Sequence, residues 1–144
     1  MSDPTAPDWT RAQLEERLYR PPFNAWLGLQ LVDWDGGGIT FSLDSRPDLY
    51  GHAKFKSLHG GIIATVLDVA ASFAVIVRTG ESLFTVDIRV DYLRPATAPR
   101  HLVRGEVLRL GKSLATADAR ITTPDGIVVA TARALCQQMP DPGS

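Results

Sequence analysis

The spacing of hydrophobic residues changes several times along this chain, and each change predicts a different element. From Trp9 to Tyr19, the residues Leu14, Leu18 and Tyr19 recur at helical intervals among charged positions. That spacing predicts a short amphipathic helix, capped by Thr10 and ended by Pro21-Pro22. Leu27–Asp35 and Ile39–Asp44 read as strands joined through Gly36-Gly37-Gly38, a hairpin, and Arg46–Ser57 reads as a polar loop. The run from about Ile62 to Val77 is apolar on every side, which predicts a helix buried all round. Leu83–Leu93 then alternates, with Phe84, Val86, Ile88, Val90 and Tyr92 on one face and Thr85, Asp87, Arg89 and Asp91 on the other. His101–Leu110, Leu114–Thr123 and Ile127–Gln137 follow as strands, joined by turns at Gly111-Lys112 and Pro124-Asp125-Gly126. Ala130, Ala132 and Ala134 share one face of the last strand and leave room for a helix to approach.

The order is a leading helix and then β-β-α-β-β-β-β. An all-apolar helix fits that order only if a strongly curved antiparallel sheet wraps it and a partner covers the remainder. The fold class is therefore α+β. At 144 residues the chain is one domain spanning 1–144, with flexible ends at about 1–8 and 140–144. A formal net charge of −1 gives no reason to expect nucleic acid as a partner. The single cysteine, Cys136, excludes an internal disulfide and reads as a small buried hydrophobe. Met1–Pro7 lacks the features of a secretory signal. The apolar run is shorter than the roughly 20 residues that cross a bilayer, and Asp68 interrupts it. The expectation is a soluble cytoplasmic protein with no membrane partner. No His/Cys cluster calls for a metal.

Asp68 is the one carboxylate inside the apolar helix. An ionised carboxylate there is costly unless something pairs with it or uses it. Immediately ahead, Ser57-Leu58-His59-Gly60-Gly61 brings bare backbone N–H groups to the helix start, where negative charge is favoured. Donors for a developing oxyanion and a candidate base on one element point to acyl transfer. Gly61 and Asp68 project to a similar side, yet seven residues separate them by about 10 Å along the axis. One acyl carbon does not reach both within one subunit, so a shared site is expected, with Asp68 meeting the turn of a second chain. His59 titrates near neutrality when unperturbed, but a histidine opening a helix more often shapes the turn, and that supporting role is assigned here.

Leu58-His59-Gly60-Gly61-Ile62-Ile63-Ala64-Thr65-Val66-Leu67-Asp68, followed by Thr85-Val86-Asp87-Ile88-Arg89-Val90-Asp91-Tyr92-Leu93-Arg94-Pro95-Ala96, resembles the PaaI-like hotdog-fold acyl-CoA thioesterases. The likeness is greatest to the YigI-type branch associated with medium- and long-chain acyl-CoA. Pro22-Phe23-Asn24 and Gly111-Lys112 extend it over nearly the whole chain beyond the leading helix. The resemblance implies a hotdog fold, a homodimer with a continuous sheet, and tetramers formed as a dimer of dimers. It also implies no metal, no cofactor beyond the CoA of the substrate, and thioester hydrolysis at a site shared by two subunits. The helix acid of the family, its general base or nucleophile, falls on Asp68, and the carbonyl-polarising N–H falls on Gly60 or Gly61. Thr85 stands where related enzymes place a Ser or Thr near the water, with an ordinary strand residue as the equal alternative. One departure is Ala53, where many PaaI-like enzymes have an Asn; either the adjacent His52 substitutes for it or the water is held differently.

Ile62, Ile63, Val66 and Phe73 are expected to line a groove suited to an aliphatic tail. CoA phosphates call for basic residues, for which Arg94, Arg109 and Lys112 are candidates, although solvated strand ends explain them equally well. Two other functions stay open. A non-catalytic acyl-CoA or fatty-acid binding module would need an output element, and no helix-turn-helix or basic region is visible. An acyl-CoA dehydratase would need a second acid or base beside the carbonyl, and none is placed for it.

Overall fold

Thr10 opens the first helix with a reciprocal cap. Its hydroxyl accepts from Gln13 N–H at 3.2 Å while the Gln13 side chain accepts from Thr10 N–H at 2.9 Å. The computed structural model describes residues 6–140; of the ends expected to be flexible, 1–5 and 141–144 lie outside the described residues. The elements are α1 (Arg11–Tyr19), α2 (Pro22–Leu27), β1 (Gln30–Trp34), β2 (Gly38–Asp44), β3 (Tyr50–His52), β4 (Ser57–Leu58), α3 (Gly60–Thr79), β5 (Ser82–Tyr92), β6 (Arg100–Leu110), β7 (Leu114–Thr122) and β8 (Val128–Met139). Pro21-Pro22 ends α1 as expected but also starts α2, where Pro22 occupies a first-turn position at which its missing N–H costs nothing. The predicted polar loop contains one 3-10 turn (Pro47–Leu49) and the small β3–β4 hairpin.

The main sheet has six antiparallel strands in the order β1-β2-β6-β7-β8-β5, and α3 packs across β2, β5, β6, β7 and β8. Ten of the twenty residues of α3 are buried, among them Val66, Leu67, Ala70 and Ala74. Within one chain the sheet leaves one stripe of α3 uncovered, the remainder that the sequence pattern assigns to a partner: Gly61 is exposed, and Thr65, Asp68 and Ser72 are half-buried. At twenty residues α3 also reaches bilayer-crossing length and apolarity, so the argument from length fails. What distinguishes it is that its sheet-facing side is already covered.

Ala130, Ala132 and Ala134 are buried, but the closest approach of helix and sheet lies elsewhere. A Cβ at Gly105 of β6 would stand 2.0 Å from the Ala70 carbonyl oxygen and 2.4 Å from its carbon. Only glycine fits there.

The two sheet margins differ. On β1, the Arg11 guanidinium donates to the carbonyls of Leu31 and Val32, both at 2.8 Å. The β5 margin is eleven residues long and has no neighbouring strand, and Phe84, Val86 and Tyr92 on it are 62%, 56% and 52% exposed. β5 is also irregular. Its register with β8 shifts between Thr85 and Asp87, so Val86 is an extra, unpaired residue.

His101 on β6 is fully buried, and neither ring nitrogen has a partner among the described residues. Burial holds its imidazole pKa below the ordinary value of 6.5.

Two outcomes follow. Gly105→Ala is expected to destabilise the fold by about 3 kcal/mol or more in urea denaturation, because the new methyl meets helix backbone. For His101, the unfolded chain binds a proton below about pH 6.5 that the folded chain refuses, so stability is level above that pH and falls as pH drops below it. His101→Leu is expected to flatten that part of a melting-temperature profile.

Candidate active site

The entry to α3 is fixed from both sides. His59 N–H donates to Leu49 O at 2.7 Å, and Leu58 N–H donates to Ala96 O at 3.0 Å. His59 is the N-cap; its Nδ1 accepts from Gly61 N–H at 2.8 Å, so the neutral ring carries its proton on Nε2. The His59 carbonyl accepts from the Ile62 and Ile63 amides. Of the two glycine donors read from the sequence, Gly61 N–H is thus already engaged, while Gly60 N–H has no acceptor among the described residues. Gly60 borders a pocket of about 350 Å³ together with Gly51, His52, Phe55, Leu58, His59 and Pro95. His52 Nδ1 accepts from Lys54 N–H at 3.1 Å, and its ring lies 4.5 Å from that of Phe55. Nothing in the periodicity pointed to Phe55, since it falls in a polar loop.

Asp68 lies on the uncovered stripe of α3. One carboxylate oxygen accepts from the Thr85 hydroxyl at 2.7 Å, and no cation pairs with Asp68 among the described residues. The bulge at Val86 explains the contact and corrects the strict alternation expected of β5. Thr85 pairs with Cys136, while Ile88, Val90 and Tyr92 pair with Ala134, Ala132 and Ala130, all buried partners on the helix side. Thr85 therefore shares a face with Ile88, Val90 and Tyr92 instead of opposing them. The buried Cys136 thiol is pushed up in pKa by desolvation and by the Asp68 charge, against a hydrogen bond from Ser72, so it remains a thiol.

The remaining candidates divide. Ile63, Val66 and Phe73 fill the core on the sheet side of α3, Phe73 meeting Phe41 edge-on at 5.6 Å, so they offer no groove lining in this chain. Ile62 alone of the four is half-buried, and Val69, Leu83, Ile88 and Val90 are partly exposed apolar neighbours that sequence reasoning missed. Arg94 follows Tyr92 near the start of α3, where its N–H donates to Val129 O. Arg109 and Lys112 lie by the β6–β7 turn, where Ser113 O accepts from Gln138 N–H and Gln138 pairs with Leu83. Within one chain they therefore stand at opposite ends of β5. The acid and the free amide are separated in the same sense: Asp68 contacts Thr85, and Gly60 contacts Tyr92. Eight residues of helix place Gly60 and Asp68 about 12 Å apart.

An antiparallel sheet packed on one long helix, with a His-Gly-Gly start and a mid-helix acid, defines a hotdog-fold thioester hydrolase. The family model described as Thioesterase superfamily matches residues 55–130, and the chain belongs to that superfamily. The medium/long-chain acyl-CoA thioesterase YigI of Salmonella typhimurium is 31% identical over 132 residues, covering 81% of this chain and 85% of that protein. A solved structure from the thioesterase superfamily is 39% identical with a TM-score of 0.82, covering 87% of this chain and 96% of its own. The Escherichia coli PaaI protein from the phenylacetic acid degradation operon, 20% identical, shares the fold at a TM-score of 0.80, covering 90% and 94%.

The two glycines differ in what a methyl would meet. At Gly61 a Cβ would lie 3.0 Å from His59 Nδ1, whereas at Gly60 it would make ordinary 3.6 Å contact with the Tyr92 ring. Gly61→Ala is expected to displace the cap and to cost about 1 kcal/mol relative to Gly60→Ala. Thermal melts of the two variants compare them directly.

Proposed function

We propose that the protein hydrolyses acyl-CoA thioesters to free acid and CoA, at sites that each draw on two copies of the chain. The observation that carries this reading is Asp68 on an uncovered helix stripe, hydrogen-bonded to Thr85 and paired with no cation among the described residues. A carboxylate held only by a hydroxyl keeps lone pairs for chemistry. Asp68 either takes a proton from water beside Thr85 or attacks the thioester carbon itself. Gly60 N–H, aided by the helix dipole, holds the developing oxyanion. In the first route the water oxygen adds to the thioester carbon; in the second the acyl group passes to Asp68 as an anhydride, which water then hydrolyses to free acid. In both the carbon–sulfur bond breaks, and the CoA thiolate leaves and takes up a proton. His52 borders the same pocket as Gly60. With its Nδ1 occupied by Lys54 N–H, it has an Nε2–H to offer in place of the absent Asn.

The open β5 margin supports a homodimer. Antiparallel pairing of β5 with its own copy about a two-fold axis brings the Thr85 end of one strand to the Tyr92 end of the other. Asp68 of one copy then meets the Gly60 turn of its mate, and the Arg109 and Lys112 end joins the Arg94 end, gathering basic residues for CoA phosphates. Ile62, Val69, Leu83, Ile88 and Val90 supply apolar surface for an aliphatic tail, which favours medium or long acyl chains.

Asp68→Asn is expected to lower kcat on acyl-CoA by about 10³-fold at unchanged fold. Gly60→Pro deletes the free N–H at a helix position that accepts proline, behind a residue at φ −58°, ψ 137° that tolerates it. Its expected loss is about 10²-fold or more. Mixing the two inactive variants as a refolded one-to-one pool is expected to restore about a quarter of wild-type turnover, since half the dimers are hybrids with one native site. Undiminished turnover in Asp68→Asn removes Asp68 from the mechanism, absence of turnover in the wild type overturns the hydrolysis reading, and no recovery on mixing overturns the shared site.

A further inference from the structure

The Gly60–Gly61 peptide is held at both of its polar ends by side chains. Its carbonyl accepts from Tyr92 Oη at 2.7 Å, and its N–H donates to His59 Nδ1 at 2.8 Å. His59 belongs to the helix cap and Tyr92 to the far end of β5. A rigid peptide plane fastened at carbonyl and amide does not turn without losing one of the two bonds. The need for fastening is real, because glycines on both sides leave the backbone its widest freedom. The neighbouring plane carries the unpaired Gly60 N–H, and the two planes are linked only through the Gly60 Cα. The Tyr92 ring faces that atom across the space of one methyl: a Cβ there would lie 3.6 Å from ring Cε1, Cζ and Oη alike.

Thr85 and Tyr92 are seven residues apart, so a regular strand would turn them to opposite faces. The extra residue Val86 restores both to the helix side. One strand thereby touches the carboxylate with one residue and the glycine turn with another.

We propose that Tyr92 is a positioning residue for this hydrolysis, fixing the aim of Gly60 N–H by holding the Gly60 carbonyl. The proposal rests on the reading of Gly60 N–H as oxyanion donor. A donor aimed before the substrate arrives acts on the transition state and leaves ground-state binding nearly untouched.

Tyr92→Phe keeps the ring and removes only the hydroxyl. The expected result is a kcat lower by about 10-fold with KM within about twofold, and a melting temperature close to wild type. In a Gly60→Pro background the same change is expected to cause no further loss, since the aimed group is already gone. The Gly61 amide of the substrate-free protein is expected to exchange faster in Tyr92→Phe, read by NMR. A kcat within about twofold of wild type, or fully additive losses in the double variant, overturns the proposal. If Gly60→Pro instead keeps full turnover, the reading of Gly60 N–H as oxyanion donor fails and the proposal with it, while faster Gly61 exchange would still report the clamp.

Discussion

The backbone contact between Gly105 and Ala70 sets the rotation of the central helix, and most of the site follows from that rotation. A helix turns about 100° per residue, so Asp68 and Ser72, each two residues from Ala70, point roughly away from the sheet. The same rotation sends Val66, Leu67, Ala74 and Phe73 inward. The acid is therefore held clear of the core by a glycine on a strand it does not touch. A side chain at position 105 would push the helix outward or turn it, moving the carboxylate with it.

Much of the architecture was legible because period-2 and all-apolar runs differ sharply. Helix α3, the long strands and the Gly36–Gly38 hairpin come directly from those patterns. Helix α2 was not legible, since proline reads as a stop and only position within the turn makes it a start. The β5 bulge was equally hidden: Val86 is apolar and continues the alternation in sequence while leaving it in space. Which stripe of α3 the sheet leaves uncovered was not legible, because alanine, valine and isoleucine serve an outer stripe as readily as a core.

For the site, the motif carried Asp68, His59, Gly60 and Thr85 to one side of one helix. It did not separate the two glycine amides, because that depends on where the His59 ring turns. Ile63, Val66 and Phe73 were expected in a groove and lie in the core instead, an outcome decided by helix rotation alone. Tyr92 was legible as a strand residue but not as a partner of the glycine turn, since the bulge reverses its face relative to Thr85.

Arg11 gives the molecule one blunt flank. Its guanidinium occupies the carbonyls of Leu31 and Val32, so the short β1 side offers fewer free acceptors to another chain than the eleven-residue β5 side. A sheet open on both flanks stacks copies indefinitely, as fibrils do. A sheet open on one flank, when paired with its own image about a two-fold axis, is complete at two. A single arginine on a nine-residue helix thus makes the two margins of the sheet unequal.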